Sequence, residues 1–159
     1  MNFRPLTNED IEVFSETIST FFKLMTRRPA EVRTAYVLDG PVPIIWNDFN
    51  GIIDASSGFR GTISFSAPRG LLIEVLRAMG ESQHSTENFL DVVGEIANQM
   101  SGRARKHFGE SLDIAPPRAF ERTNLPLQAS ATGPAYAIPL TWGMFEANLV
   151  VHLDVLARP

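Results

Sequence analysis

Two residue pairs in the chain have the spacing Glu-x-x-Asn, Glu95 with Asn98 and Glu121 with Asn124. A carboxylate can hold a cation through a charge-assisted hydrogen bond, and an uncharged amide can accept with its carbonyl while donating with its NH2. What such a pair can do depends on the backbone beneath it. In a helix, residues three apart lie within one turn and both can reach one partner at once; in a strand they point to opposite faces. Glu95 and Asn98 sit in a run of helical periodicity, whereas Glu121-Arg122-Thr123-Asn124 sits in a strand-to-turn segment. Only the first pair can converge on a single group.

The helix that carries it is expected to run from an N-cap at Ser85 through Phe108, with Gly109 at C′. Phe89, Val93, Ile96, Met100 and Ala104 cluster within one arc, at about 100° per residue, and are expected to pack on a sheet. Measured from Glu95, Asp91 lies about 40° and Asn98 about 60° to the same side, with Gly102 between them and Glu95. All four face away from the expected core, and Arg105 and Lys106 extend the polar face. A glycine inside a helix costs roughly 1 kcal/mol against alanine, so Gly102 on that face implies room for a partner's close approach. Asp91 also favours the helix dipole from the first half of the helix, which gives it a supporting role.

Other chemistry finds little foothold. His84, His107 and His152 have no H-x-x-x-H spacing or carboxylate pattern, and read as surface or core histidines. The chain has no cysteine, which removes disulfides, thiolate metal sites and cysteine nucleophiles together. No G-x-S-x-G elbow, G-x-x-x-x-G-K loop or G-x-G-x-x-G fingerprint occurs. Trp46 and Trp142 are expected in the core or on a sheet face.

The elements that must position the long helix follow from periodicity. Ile11, Phe14, Ile18, Phe21, Phe22 and Met25 define a first helix, Asn8 to Met25, capped by Thr7 or Asn8 and ended by Arg27-Arg28-Pro29. Tyr36 to Leu38, Ile44 to Ile53 and Phe59 to Phe65 read as strands, the first two separated by Asp39-Gly40-Pro41 and the last two forming an antiparallel hairpin across Asp54 to Gly58. Gly70 to Met79 is a short helix with Leu71, Leu72, Val75, Leu76 and Met79 as its apolar stripe and Gly80 as its stop. Ala119 to Leu127, Ala135 to Trp142 and Phe145 to Leu156 are three further strands, the last two joined at Gly143-Met144. The expectation is one α+β domain over residues 1–159: a six-stranded antiparallel sheet packed with one long and two shorter helices, in two rough copies of a helix-then-strands unit.

Composition agrees with that class. A chain of 159 residues, 44% hydrophobic and 20% charged, can bury one sizeable core. The net charge of −4 comes with no basic stripe, which argues against nucleic acid or an anionic membrane as partner. Glu9, Asp10 and Glu12 stand where a secretory signal would need apolar residues, and no apolar run approaches membrane-spanning length, so a cytoplasmic protein is expected.

The segment from Asp91 to Asn98 fits the D-x-x-x-E-x-x-N pattern of the CheC, CheX and FliY phosphatases, and Gln99-Met100-Ser101-Gly102-Arg103-Ala104 continues much as that family's helix does. Upstream, Gly58 to Ser66 followed by Leu71 to Gly80 resembles the family's strand, short helix and Met-Gly ending. The resemblance is strong between Gly51 and Gly109 and looser towards both ends. CheC proteins carry two such sites. The matching stretch of the first helix here is Glu16-Thr17-Ile18-Ser19, with serine in place of asparagine, and Glu121 stands where the CheC motif has its proline. Both departures imply a single site, as in CheX. Arg103 stands where relatives often have a small polar residue, a change on the docking surface.

The resemblance implies a phosphatase that hydrolyses the aspartyl phosphate of a CheY-like receiver domain. Asn98 would orient the attacking water and donate to the phosphoryl oxygens, adding no repulsion against the anion. Glu95 would pair with the receiver's lysine, and Asp91, Gly102 and Arg105 would support docking. Mg2+ would be held by the receiver's acidic residues, with no cofactor bound by this chain. A homodimer is also implied, with Phe145 to Leu156 as an edge strand able to pair with its mate. The main alternative is a non-catalytic docking module of the same fold that binds a receiver or a flagellar or signalling partner. A hotdog-type acyl-thioester enzyme ranks lower, because its central helix is largely buried. An exposed helical asparagine contributes little to stability, so Asn98→Ala is expected to leave the thermal midpoint unchanged in a calorimetric melt, and a large drop would mark Asn98 as structural.

Overall fold

The computed structural model describes residues 2–38, 47–57, 59–109, 113–122 and 131–156. Thr7 starts the first helix, α1 (Asn8–Thr26), through a capping box: its hydroxyl accepts from Asp10 N at 3.2 Å while the Asp10 carboxylate accepts from Thr7 N at 2.8 Å. Arg27, in the left-handed region at φ 65°, closes the helix ahead of Pro29. Phe14, Ile18 and Phe22 are fully buried along its inner face. The short helix α2 (Arg69–Ala78) stops where Gly80 turns to φ 82°. The long helix α3 (Thr86–Phe108) starts at Ser85, whose hydroxyl accepts from Asn88 N at 3.2 Å, and ends at Gly109.

All strand pairings are antiparallel and form one sheet. In chain order the strands are β1 (Phe3–Arg4), β2 (Glu31–Val32), β3 (Tyr36–Leu38), β4 (Phe49–Ser56), β5 (Phe59–Ala67), β6 (Asp113–Ile114), β7 (Arg118–Glu121), β8 (Ala135–Trp142) and β9 (Phe145–Leu156). The order across the sheet is palindromic. The hairpins β4-β5 and β8-β9 meet at β5 and β9; β2 and β3 then flank β8, while β6 and β7 flank β4. Each half of the chain thus lends its short strands to the other half's hairpin, the geometric form of the helix-then-strands repeat.

The long helix packs on β4, β5 and β7 and lies beside α1. Phe89, Val93, Ile96, Met100 and Ala104 are all at or below 1% exposure, as their spacing requires. The seat is close: a Cβ at Gly51 of β4 would stand 2.1 Å from the Val93 carbonyl oxygen, so only glycine admits the helix backbone there. The far end of α3 is tied to α1 through Asp10, which is 4% exposed. Its carboxylate accepts from Arg4 Nη1 at 2.9 Å and pairs with His107 Nε2 at 2.9 Å.

Several expectations change. Among the described residues the sheet has nine strands, not six: β1, β2 and β6 have two residues each and carry no periodic signal. The β4-β5 hairpin is tighter than expected, since β4 runs on to Ser56 and β5 starts at Phe59. Of the strand expected from Ile44, the described part begins at Phe49, and Asp39-Gly40-Pro41, Ile44, Ile45, Trp46 and Gly58 lie outside the described residues. The strand expected to reach Leu127 ends at Glu121; Thr123 to Leu127, Asn124 among them, also lie outside. Phe145 to Leu156 is not an edge strand. It is an interior strand, paired with β8 and β1 on one side and β5 on the other, so it does not present an edge along its length to a mate. Met25 and Met79, assigned to apolar stripes, are 37% and 42% exposed.

Burial alone would raise the Asp10 carboxyl, but the bonds from Arg4, Thr7 N, His107 and the Thr7 hydroxyl outweigh it and lower the pKa from 3.8 to about 2. Between those values the unfolded chain binds the proton and the folded one does not, so stability is full above pH 4 and falls as pH drops towards 2. The loss is roughly 2 kcal/mol for this one group. Urea unfolding of wild type and Asp10→Asn between pH 5 and pH 2.5 checks it; the variant is expected to be less stable at pH 5 and to have the shallower slope.

Candidate functional site

Seating Val93 on β4 turns the opposite arc of α3 to solvent. Asp91, Glu95, Asn98, Gly102 and Arg105 are all exposed, so the five residues chosen from sequence share one face of one rigid element. That face is narrower than the periodicity suggested, since Val92, Gly94, Ala97 and Ser101 are also buried. Glu95 Oε1 accepts from Gln99 Nε2 at 2.8 Å, a contact one turn along the helix that orients the carboxylate. The Asn98 carbonyl accepts from the Ser101 hydroxyl at 2.8 Å, and the Asn98 side-chain amide has no hydrogen-bond partner among the described residues.

Grooves divide the face. One of about 560 Å³ lies over Gly102, with Asn98, Arg103, Arg105 and Lys106 along α3 and Ile114 to Pro116, the end of β6 and the chain after it, as a wall. On the other side, Glu95 lines a groove with Glu16, Phe21 and Leu24 of α1, and a second with Asp91 and Met79. Gln99 and Arg103 stand between the α1 groove and the one over Gly102. Asn98, Gly102 and Arg105 therefore open on a polar, basic groove, while Glu95 and Asp91 border apolar ones. The i, i+4 spacing could have revealed Gln99 as the partner of Glu95, whereas the Ile114–Pro116 wall, from the chain that follows the helix, could not be read from spacing on the helix alone.

Among the described residues nothing requires glycine at position 102. A Cβ there would meet nothing within 4 Å, whereas one at Gly94 would rest in ordinary contact with Ala119 at 3.8 Å. On α1, Glu16 is exposed, but the Ser19 hydroxyl donates to the Ala30 carbonyl at 3.1 Å and is spent on holding the chain after the helix. The histidines have internal partners or lie off this face: His107 on Asp10, His152 Nε2 at 2.9 Å from the Gly133 carbonyl, and His84 in the loop before α3. Among the described residues no group of three or more His, Asp or Glu side chains could hold a metal ion, and no helix is long and apolar enough to cross a membrane.

The fold is shared with chemotaxis proteins. CheX from Vibrio vulnificus superposes with a TM-score of 0.78 at 22% identity, covering 91% of this chain and 99% of that one. CheX from Desulfovibrio desulfuricans gives 0.77 at 21% identity, covering 92% and 99%. The CheX-CheY-BeF3-Mg2+ complex from Borrelia burgdorferi gives 0.70 at 17% identity, covering 90% and 96%. No curated protein matches the sequence. By architecture the chain is a CheX-like α+β domain. The family model for chemotaxis phosphatase CheX matches residues 49–141, more than half of the 159, and the chain belongs to that family.

Because open space surrounds Gly102 in a helical backbone, Gly102→Ala is expected to stabilise the isolated protein by about 0.5–1 kcal/mol. A thermal melt checks this; a fall in the midpoint would mean that Gly102 serves the fold.

Proposed function

We propose that this protein accelerates hydrolysis of the aspartyl phosphate on a CheY-like receiver domain. The observation that carries the reading is the placement of Glu95 and Asn98 side by side on the exposed arc of α3, in a chain of the CheX family. An aspartyl phosphate is an activated acyl phosphate, so a helper need only place a water in line and stabilise the arrangement. The Asn98 amide suits that work: its carbonyl accepts from the water and its NH2 donates to the phosphoryl oxygens. With no protein partner among the described residues, it can exchange bonds to water for bonds to the phosphoryl group without breaking a bond within the fold. Glu95, steadied by Gln99, pairs with the receiver's lysine and sets the register of Asn98.

Gly102 keeps the α3 surface low beside Asn98 so that the receiver's backbone can approach, with Arg105 beside the same groove and Asp91 next to Glu95. Mg2+ is held by the acidic residues of the receiver and supplies charge neutralisation at the phosphoryl group. The Borrelia burgdorferi complex pairs a relative with CheY, BeF3 and Mg2+, which supports a receiver as partner. Work on such a receiver belongs in the cytoplasm. A homodimer, if formed, uses surface other than the edges of β9.

The test is the decay of a phosphorylated CheY-like receiver from the same organism with wild type, Glu95→Ala, Asn98→Ala and Asn98→Asp. Wild type is expected to accelerate decay; Asn98→Ala to lose on the order of a hundredfold or more of the acceleration; Asn98→Asp to be poor because its charge repels the phosphoryl group; and Glu95→Ala to weaken binding and rate together. Binding without acceleration by wild type would make the chain a docking module instead.

A further inference from the structure

Two side chains cannot hold a protein partner. A specific complex covers about 800 Å² on each side, so a receiver gripped by Glu95 and Asn98 must also cover what surrounds them. Towards α1 and α2 that surround is apolar: Leu24 is 76% exposed, Met79 42% and Met25 37%, with Phe21 half-buried between them. Scattered exposed apolar residues are ordinary on a soluble domain. These come from the ends of two helices yet line two adjoining grooves of about 480 Å³ and 390 Å³, and Glu95 lines both. Beyond Asn98 the surface turns basic, with Arg103 and Lys106.

We propose that Phe21, Leu24, Met25 and Met79 form a docking shelf for an apolar side-chain cluster on the receiver, next to its phosphorylation pocket. The inference rests on the phosphatase reading above and names the contact that holds the partner. A body seated on Glu95 must cover the grooves that Glu95 lines. A second copy of this chain in the same place would bury Glu95 and block the pair, so the receiver is the occupant consistent with that reading. Burial of an apolar centre supplies most of the strength of such interfaces, while charges at the margin steer and orient. The flexible thioethers of Met25 and Met79 can repack against differing apolar partners, so the shelf tolerates more than one receiver sequence.

The experiment uses the full chain with Leu24→Asp and Met79→Asp, and Met144→Asp as control. Met144 is 88% exposed at the β8-β9 turn and lines none of these grooves. Affinity is measured for a CheY-like receiver loaded with beryllofluoride and Mg2+, alongside KM and kcat for its dephosphorylation, thermal midpoints, and sedimentation of each chain alone. Both shelf variants are expected to weaken binding on the order of tenfold or more. KM rises with little change in midpoint, kcat at saturation falls far less than KM rises, and Met144→Asp behaves as wild type. Unchanged affinity in the shelf variants, with wild type active and Asn98→Ala inactive, overturns the shelf and leaves the phosphatase reading standing. A wild-type dimer that the shelf variants dissociate overturns it in favour of a second copy. A wild type that binds no receiver overturns both readings.

Discussion

At Gly51 the backbone of α3 meets the backbone of β4 with no side chain between them, the space for a Cβ lying 2.1 Å from the Val93 oxygen and 2.5 Å from its carbonyl carbon. That contact sets the rotation of the helix as well as its distance. With Val93 turned down onto the sheet, Asp91, Glu95, Asn98 and Gly102 lie between about 140° and 200° away around the axis, which is outward. The strand beneath is itself held between β5 and β7, and the far end of the helix is clipped to α1 by His107 on Asp10. A side chain at position 51 would lift or roll the helix and move every group on its outer face together.

Much of this architecture is legible in sequence because it rests on period and local chemistry. The three helices declare themselves by apolar spacing and caps, and β8 and β9 by β-branched and aromatic runs around Gly143-Met144. What is not legible depends on partners far along the chain. Phe3-Arg4, Glu31-Val32 and Asp113-Ile114 are strands only because β9, β8 and β4 pair with them. β9 itself misleads. His152 and Asp154 look like the polar face of an exposed edge, yet they are 4% and 3% exposed. Asp154 is buried under the 131–133 segment, accepting from Thr132 N at 2.8 Å, Gly133 N at 2.9 Å and Arg60 Nε at 2.8 Å, and His152 contacts the Gly133 carbonyl. A buried polar group that finds such partners passes for a surface one when only its type is read.

The candidate site divides in the same way. Its helical half follows from arithmetic on one element: a carboxylate, an amide and a glycine at spacings that bring them to one face. Its surroundings do not, because Met25 and Met79 satisfy the apolar spacing of their own helices and so pass for core. They are exposed at the ends of their helices, Met25 one residue before the last of α1 and Met79 just after α2. Periodicity assigns a face; it cannot say where along that face the cover stops.

The palindromic sheet offers two equivalent helices, α1 and α3, and the two have been put to different uses. On α1 the position that would carry the amide is Ser19, and its hydroxyl ties the helix to Ala30 just ahead of β2, the strand lent to the other half. On α3 the amide of Asn98 has no internal partner among the described residues, Glu95 touches Gln99, and Gly102 forgoes the stability that alanine would bring. Side chains that do no work for the fold can be brought against another molecule without loosening it. The helix whose inner face is most tightly seated is therefore also the one whose outer face is free for chemistry, and the close contact at Gly51 underlies both.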